Sequence, residues 1–342
     1  MMNKKKIIAI ISCVVLTLGV FSGCGKKAAT GTKDVPKTET KAMTLRMSDN
    51  QPDGYPTIIG DKAFAAEVEK NTNGRIKIQV FGGSQLGDEK SAIEQLQFGA
   101  IDAIRIGAAP LAEFNKQIGV LILPYLYKDK DQMFRVLEGP VGEKIFASLA
   151  ADSKIVGLSW VDSGARNFYN TKKDVKTPAD LKGLKIRVQE SKPMMDMVKS
   201  LGASPTPMAY GDVYSALQTG VVDGAENNWP SYLSSNHYQV AKHITIDEHT
   251  RVPEMIALSK ITWDKISPED QKIVKAAAVV GAKVEREEWL KQSEAAMTTI
   301  VSKGGVTITK LETNQAFQDK VKHMYDEHAE WKDIIQEILA TK

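Results

Sequence analysis

Cysteine is nearly absent from this chain of 342 residues: Cys13 and Cys24 are the only two, and both lie at the N-terminus. The body of the protein therefore has no disulfide framework, no cysteine nucleophile and no thiolate metal site, and must rely on its core for stability. Histidine is also scarce. His237, His243 and His249 stand six apart, which suits neither a helical metal pair nor a zinc motif, and His323 and His328 sit on a polar helical stretch, so no metal site is expected. No basic block follows Lys26-Lys27, and without Lys4, Lys5 and Lys6 the chain carries 42 basic against 42 acidic residues. A neutral chain has no general field for nucleic acid. There is no nucleophile elbow and no base beside a nucleophile, so no catalytic residue or cofactor is expected and the chain does not read as an enzyme. Gly82-Gly83-Ser84-Gln85-Leu86-Gly87 lacks the Lys-Ser/Thr of a phosphate loop and the spacing of a dinucleotide fingerprint, and reads as a turn.

What is present begins with an export signal. Lys4-Lys5-Lys6 precedes an apolar run from Ile7 to Phe21, too short for an ordinary spanning helix but right for a signal-peptide core. The run ends at Phe21-Ser22-Gly23-Cys24, which resembles a bacterial lipoprotein box. Residues 1–23 are read as a lipoprotein signal, Cys24 as the acylated residue that anchors the chain to the outer face of the cytoplasmic membrane, and 24–42 as a flexible tether.

From Met43 the pattern alternates. Strands are predicted at Met43–Met47, Arg75–Phe81 and Ile101–Ile106, with helices at Asp61–Asn71 and from Gly87 to Phe98 between them. That order argues for a mostly parallel α/β sheet. Val120–Tyr127 is read as a buried strand broken by Pro124, a helix is predicted from Asp131, and the strand Ile155–Trp160 is where the chain crosses into a second lobe. The α/β theme repeats there, with a strand at Leu184–Val188, a helix opening near Ser191, a helix at Tyr210–Thr219 and a short strand at Val221-Val222-Asp223. Ser267-Pro268-Glu269-Asp270 supplies an N-cap, a first-position proline and early acids for a helix running to Ser302, on the order of 50 Å long and long enough to brace both lobes. Asn314–Leu339 reads as one final helix. The length allows two cores, assigned as 43–162 with about 253–290 and 163–252 with about 291–342.

Candidate chemistry concentrates in the second lobe. Arg187 stands near the C-terminal end of its strand, and in open α/β sheets such ends face the ligand crevice. Its planar fork of donors matches a carboxylate, which points to an organic acid. Arg166 lies about twenty residues earlier, both arginines also suit surface or structural salt bridges, and Glu226-Asn227-Asn228-Trp229 forms a polar knot beyond. Asn227 and Asn228 also suit a turn, and Tyr210 and Trp229 suit either core or a face for a bound ring. Glu254, Asp223 and Glu226 read as hydrogen-bond acceptors for ligand hydroxyls or backbone rather than as general acids or bases.

Gly74-Arg75-Ile76-Lys77-Ile78, Gln85-Leu86-Gly87, Leu96-Gln97-Phe98-Gly99-Ala100-Ile101-Asp102, Leu123-Pro124-Tyr125, the run Thr177 to Val188, and Gly220-Val221-Val222-Asp223-Gly224-Ala225-Glu226-Asn227 together resemble the dicarboxylate-type solute-binding proteins of tripartite ATP-independent periplasmic (TRAP) transporters. The resemblance covers nearly all of residues 43 to 310. It implies a periplasmic-binding-protein-like fold of two α/β lobes with a long brace helix, closing on a ligand that is delivered to small and large membrane subunits. It implies that Arg187 binds the ligand carboxylate, that Arg166 and Asn227 assist, that Tyr210 supplies an aromatic, and that Asp49 and Glu89 reach in from the first lobe. Arg187-Val188-Gln189-Glu190-Ser191 with Gly224-Ala225-Glu226-Asn227-Asn228 is similar to the sugar-acid branch that takes hexuronates, and it leaves Gln189, Glu190, Asn228 and Trp229 to decide which acid is held. A C4-dicarboxylate or other carboxylate is the alternative ligand, and a cleft enzyme acting on sugar acids is the alternative function.

Overall fold

The computed structural model describes residues 42–342. Cys24, the signal and most of the tether lie outside them. The strands are β1 Met43–Ser48, β2 Ile76–Phe81, β3 Ala103–Gly107, β4 Ile155–Val161, β5 Ala165–Asn170, β6 Lys185–Val188, β7 Ser204–Pro207, β8 Gly224–Asn227, β9 His243–Arg251, β10 Glu254–Ser259 and β11 Thr307–Lys310. They form two sheets, ordered β2-β1-β3-β10-β4 and β11-β9-β5-β8-β6-β7. β4 and β5 lie in different sheets, as do β9 and β10, so the chain crosses between lobes at 162–164 and returns at 252–253.

These crossings explain a departure from the predicted topology. β1 runs parallel to β2 and β3, but β10 is antiparallel to both β3 and β4. In the second sheet β6 is parallel to β7 and β8, whereas β5 is antiparallel to β8 and β9. A strand that enters a sheet from the other lobe arrives at the crossing end, and so runs against the strands wound by right-handed helix crossovers.

The third connection is the helix Pro268–Lys303, which packs on the first-lobe helix Pro56–Asn71 and on β4, and reaches the second-lobe helix Trp229–Ser234. Ser267 caps it by accepting from the Asp270 N–H at 3.1 Å. The two long helices meet at glycines. A Cβ on Gly281 would lie 2.7 Å from the Phe64 Cβ, and one on Gly60 would lie 2.5 Å from the Glu285 Cβ, so only glycine allows the helix axes to approach this closely.

Four local expectations fail for physical reasons. Residues 120–127 form no strand: Lys116–Ile122 is a 3-10 helix buried from Ile118 onward, and Tyr125 takes a left-handed φ of 56° after Pro124. A short apolar run cannot by itself tell strand from buried helix. The strand expected at 221–223 lies at Gly224–Asn227, where a polar sequence is buried between two neighbours. The helix expected from Asp61 starts at Pro56, a first-position proline. The final helix is broken into Gln315–Val321, 3-10 turns at Lys322–Tyr325 and Ala329–Trp331, and the helix Lys332–Ala340. The break lets Trp331 sit within 2.9 Å of where a Gly119 Cβ would be, between the two lobes. The last helix then packs on Pro140–Asp152 of the first lobe, rather than on the second as its assignment implied.

Candidate functional site

The cleft between the sheets is shut around a small polar cavity. Its first-lobe wall is Asn50, Gln51, Glu89, Arg105 and Glu254. Arg166, Arg187, Gln189, Tyr210, Asn227, Asn228 and Ser231 line the facing wall. The strands place them: Asn50 and Gln51 just follow β1, Glu254 opens β10 beside the end of β3, Arg187 and Gln189 close β6, and Asn227 and Asn228 close β8. Nearly all sit where the parallel strands end, as carboxyl-end crevices require. Across the rim the Tyr55 hydroxyl and the Ser231 Oγ are 2.8 Å apart, and the Lys192 N–H donates to the Glu113 carboxylate at 2.8 Å.

Three arginines reach the cavity, and their partners differ. Arg105 donates through Nε to Asp49 Oδ2 at 3.0 Å, through Nη2 to the other Asp49 oxygen, and through Nη1 to Glu254 at 3.0 Å. Arg166 pairs with the Glu226 carboxylate through Nε and Nη2, and donates through Nη1 to Asn227 Oδ1 at 2.9 Å. Arg187 donates through Nε and Nη2 to the Met208 carbonyl at 3.0 and 2.6 Å. It is 2% exposed and, among the described residues, has no carboxylate within ion-pair distance. Its guanidinium lies 5.9 Å from the centre of the Tyr210 ring. Burial lowers its pKa, and the nearest carboxylates only partly offset that. A buried cation with no counter-ion is costly, so this wall is built for an anion.

Behind Arg166 runs a fully buried chain of charges. Glu226 lies 3.4 Å from His249 Nε2, and His249 Nδ1 lies 2.9 Å from Asp247, which in turn accepts from the Phe168 N–H. Burial opposes charge on both groups, but Arg166 and His249 hold Glu226 down at about 2, and Asp247 and Glu226 hold His249 up at about 9. His237 bonds the Tyr169 hydroxyl and His243 bonds Asp174, so the three evenly spaced histidines serve three separate contacts.

Of the residues singled out from sequence, Arg187, Arg166, Asn227, Tyr210, Glu89 and Asn228 line the cavity, and three do not. Asp49 stands behind Arg105 as its counter-ion, also accepting from Thr57 Oγ1 and the Gln51 N–H at 2.7 Å each. Glu190 lines a separate groove with Lys90 and Glu113, because successive residues past the end of β6 point to opposite sides and Gln189 takes the inward one. Trp229 opens a short helix and packs edge-on to Tyr232, beside Trp289 and away from the cavity. Asn228 is largely committed as well: its Oδ1 caps that helix through the Ser231 N–H, and its Nδ2 donates to the Ser163 carbonyl.

Arg105, Gln51, Asn50 and Ser231 were missed. Arg105 carried a signal: it interrupts Ala103-Ile104-Arg105-Ile106-Gly107, a strand buried at every position, where an arginine must meet something charged. The others come from loops and caps, where polar residues are the rule.

The comparisons with known proteins agree along nearly the whole chain. Residues 47–332 match the family model described as bacterial extracellular solute-binding protein, family 7 (DctP). A solute-binding protein of Chromohalobacter salexigens is 38% identical over 88% of this chain and 90% of its own length. The structure of a TRAP periplasmic solute-binding protein from a Bradyrhizobium species in complex with α/β-D-galacturonate superposes with a TM-score of 0.84 at 41% identity, covering 86% of this chain and 99% of that one. Another, from Chromohalobacter salexigens with bound D-glucuronate, gives 0.84 at 37% over 87% and 100%. The chain belongs to the DctP family, the extracytoplasmic solute-binding proteins that serve TRAP transporters.

Proposed function

We propose that this protein captures a hexuronate such as glucuronate or galacturonate between its lobes, hands it unaltered to the TRAP membrane subunits, and performs no chemistry on it. The observation that carries this reading is Arg187, a buried guanidinium without a carboxylate partner among the described residues, in a cavity whose other two arginines are neutralised. The ligand carboxylate takes the place of the missing counter-ion, with Asn227 and Tyr210 beside it. The two similar proteins with hexuronates bound support the choice of acid. Residues 43–162 with about 253–290 form one closing lobe and 163–252 with β11 the other, while the terminal helix goes with the first. Isothermal titration calorimetry with glucuronate and galacturonate should give a Kd of about a micromolar or tighter for at least one, corresponding to about −8 kcal/mol. No heat from either, and an unchanged sugar-acid thermal-shift panel, would overturn the reading.

Cys24 is proposed to carry the lipid anchor, since small residues precede it at the end of a signal-like run. Intact mass of the membrane-extracted protein should show a chain starting at Cys24 and carrying acyl groups. A chain starting elsewhere without them would leave a freely diffusing protein.

A further inference from the structure

Resting on that reading, we infer that the first-lobe wall selects acids with a single carboxylate and rejects sugar diacids. Charge balance is the first argument. On the second-lobe wall Glu226 neutralises Arg166 and leaves Arg187 as one uncompensated cation. On the first-lobe wall Arg105 faces two carboxylates, Asp49 and Glu254. Glu89 adds a third there and has no ion-pair partner among the described residues. One pole of the cavity is thus cationic, and the other carries more carboxylates than cations.

Hydrogen-bond supply is the second argument. Beyond Arg187, part of the lining offers acceptors that lack a donor. The side-chain amide oxygens of Gln51 and Gln189 are buried without a partner among the described residues, and Glu89 presents carboxylate oxygens. Asn50 Oδ1 already accepts from Arg105. Hydroxyls donate to such atoms, and an ionised carboxylate has only acceptors. A ligand with its carboxylate on Arg187 and hydroxyls toward Gln51, Gln189, Glu89 and Glu254 satisfies both walls. A diacid of the same length sets its second carboxylate against Glu254 and Glu89 with nothing to donate. Burial raises both of these glutamates, Glu254 to about 7, which shows how poorly the first-lobe pole tolerates the negative charge it already has.

The test pairs glucuronate with glucarate, the diacid of the same carbon number, by calorimetry at pH 8 on the wild-type protein and on Glu254→Gln and Glu89→Gln. Like-charge juxtaposition in a dry site costs several kcal/mol, so glucuronate should bind at least about 100-fold more tightly than glucarate. At least one variant should narrow that ratio to about tenfold or less, by improving glucarate binding. Glucarate within tenfold of glucuronate in the wild-type protein overturns the inference while leaving hexuronate capture intact. So does a ratio untouched by both substitutions. Binding of neither acid removes the proposed function and this inference with it.

Discussion

Replacing Arg187 by lysine is expected to weaken hexuronate binding by about two orders of magnitude while leaving the unliganded protein folded. The reason lies in what Nε and Nη2 already do. Both donate to the Met208 carbonyl, which fixes the plane of the guanidinium and leaves its remaining N–H groups aimed at the cavity. Lysine keeps the charge but offers a single rotating ammonium, so it cannot hold Met208 and present a fork to the carboxylate at once. Each hydrogen bond to a charged group contributes roughly 1.5 to 3 kcal/mol, and the loss of one bond with its alignment corresponds to about 100-fold. Calorimetry with the best hexuronate reads this directly, and an unchanged thermal midpoint of the free variant separates binding from folding. Unaltered affinity would remove Arg187 as the anchor. Arg166 makes a useful contrast, because its fork is consumed by Glu226 and Asn227. Its replacement should cost stability along with affinity.

The buried charges behind Arg166 give the second large expectation, a stability that falls on both sides of neutrality. Glu226 is held at about 2 in the folded protein against about 4.3 in an unfolded chain. A depressed carboxyl contributes stability that is present above the unfolded value and is lost as pH falls through the folded one. Between about pH 4.5 and 2 this single group should therefore withdraw on the order of 3 kcal/mol. His249 works in the opposite direction. Its folded value of about 9 exceeds the unfolded value of about 6.5, so its contribution is complete below 6.5 and disappears as pH rises toward 9. Urea unfolding across this range should show both flanks in the wild-type protein. His249→Gln should flatten the alkaline flank, and an alkaline flank identical to wild type would sink the assignment. Glu226→Leu should destabilise by about 3 to 5 kcal/mol at neutral pH, because it leaves Arg166 and His249 buried without their shared anion.

The regular parts of the fold were legible because their signals are local. The brace helix announced itself through Ser267-Pro268-Glu269-Asp270, and its observed span of Pro268–Lys303 starts where those signals place it. Glu89–Phe98 lies between an Asp88 cap and a left-handed Gly99, again signals within a few residues of each end. The failures share a different cause. Gly224–Asn227 is a strand only because β5 and β6 flank it, and nothing in Gly-Ala-Glu-Asn states that. The C-terminal helix breaks because Trp331 has a niche at Gly119, more than two hundred residues earlier.

The site divides in the same way. Sequence by itself determined the α/β alternation, the brace helix and the place of an arginine near a strand end, because periodicity and capping are written in adjacent residues. Tertiary structure alone decided which charges meet. Asp49, Glu226 and Arg187 look alike in a sequence as charged residues near strand ends, yet the fold spends the first two on Arg105 and Arg166 and leaves the third without a carboxylate partner among the described residues. Charge pairing depends on distances of a few ångströms between segments far apart in the chain, and those distances exist only once both lobes have folded and closed.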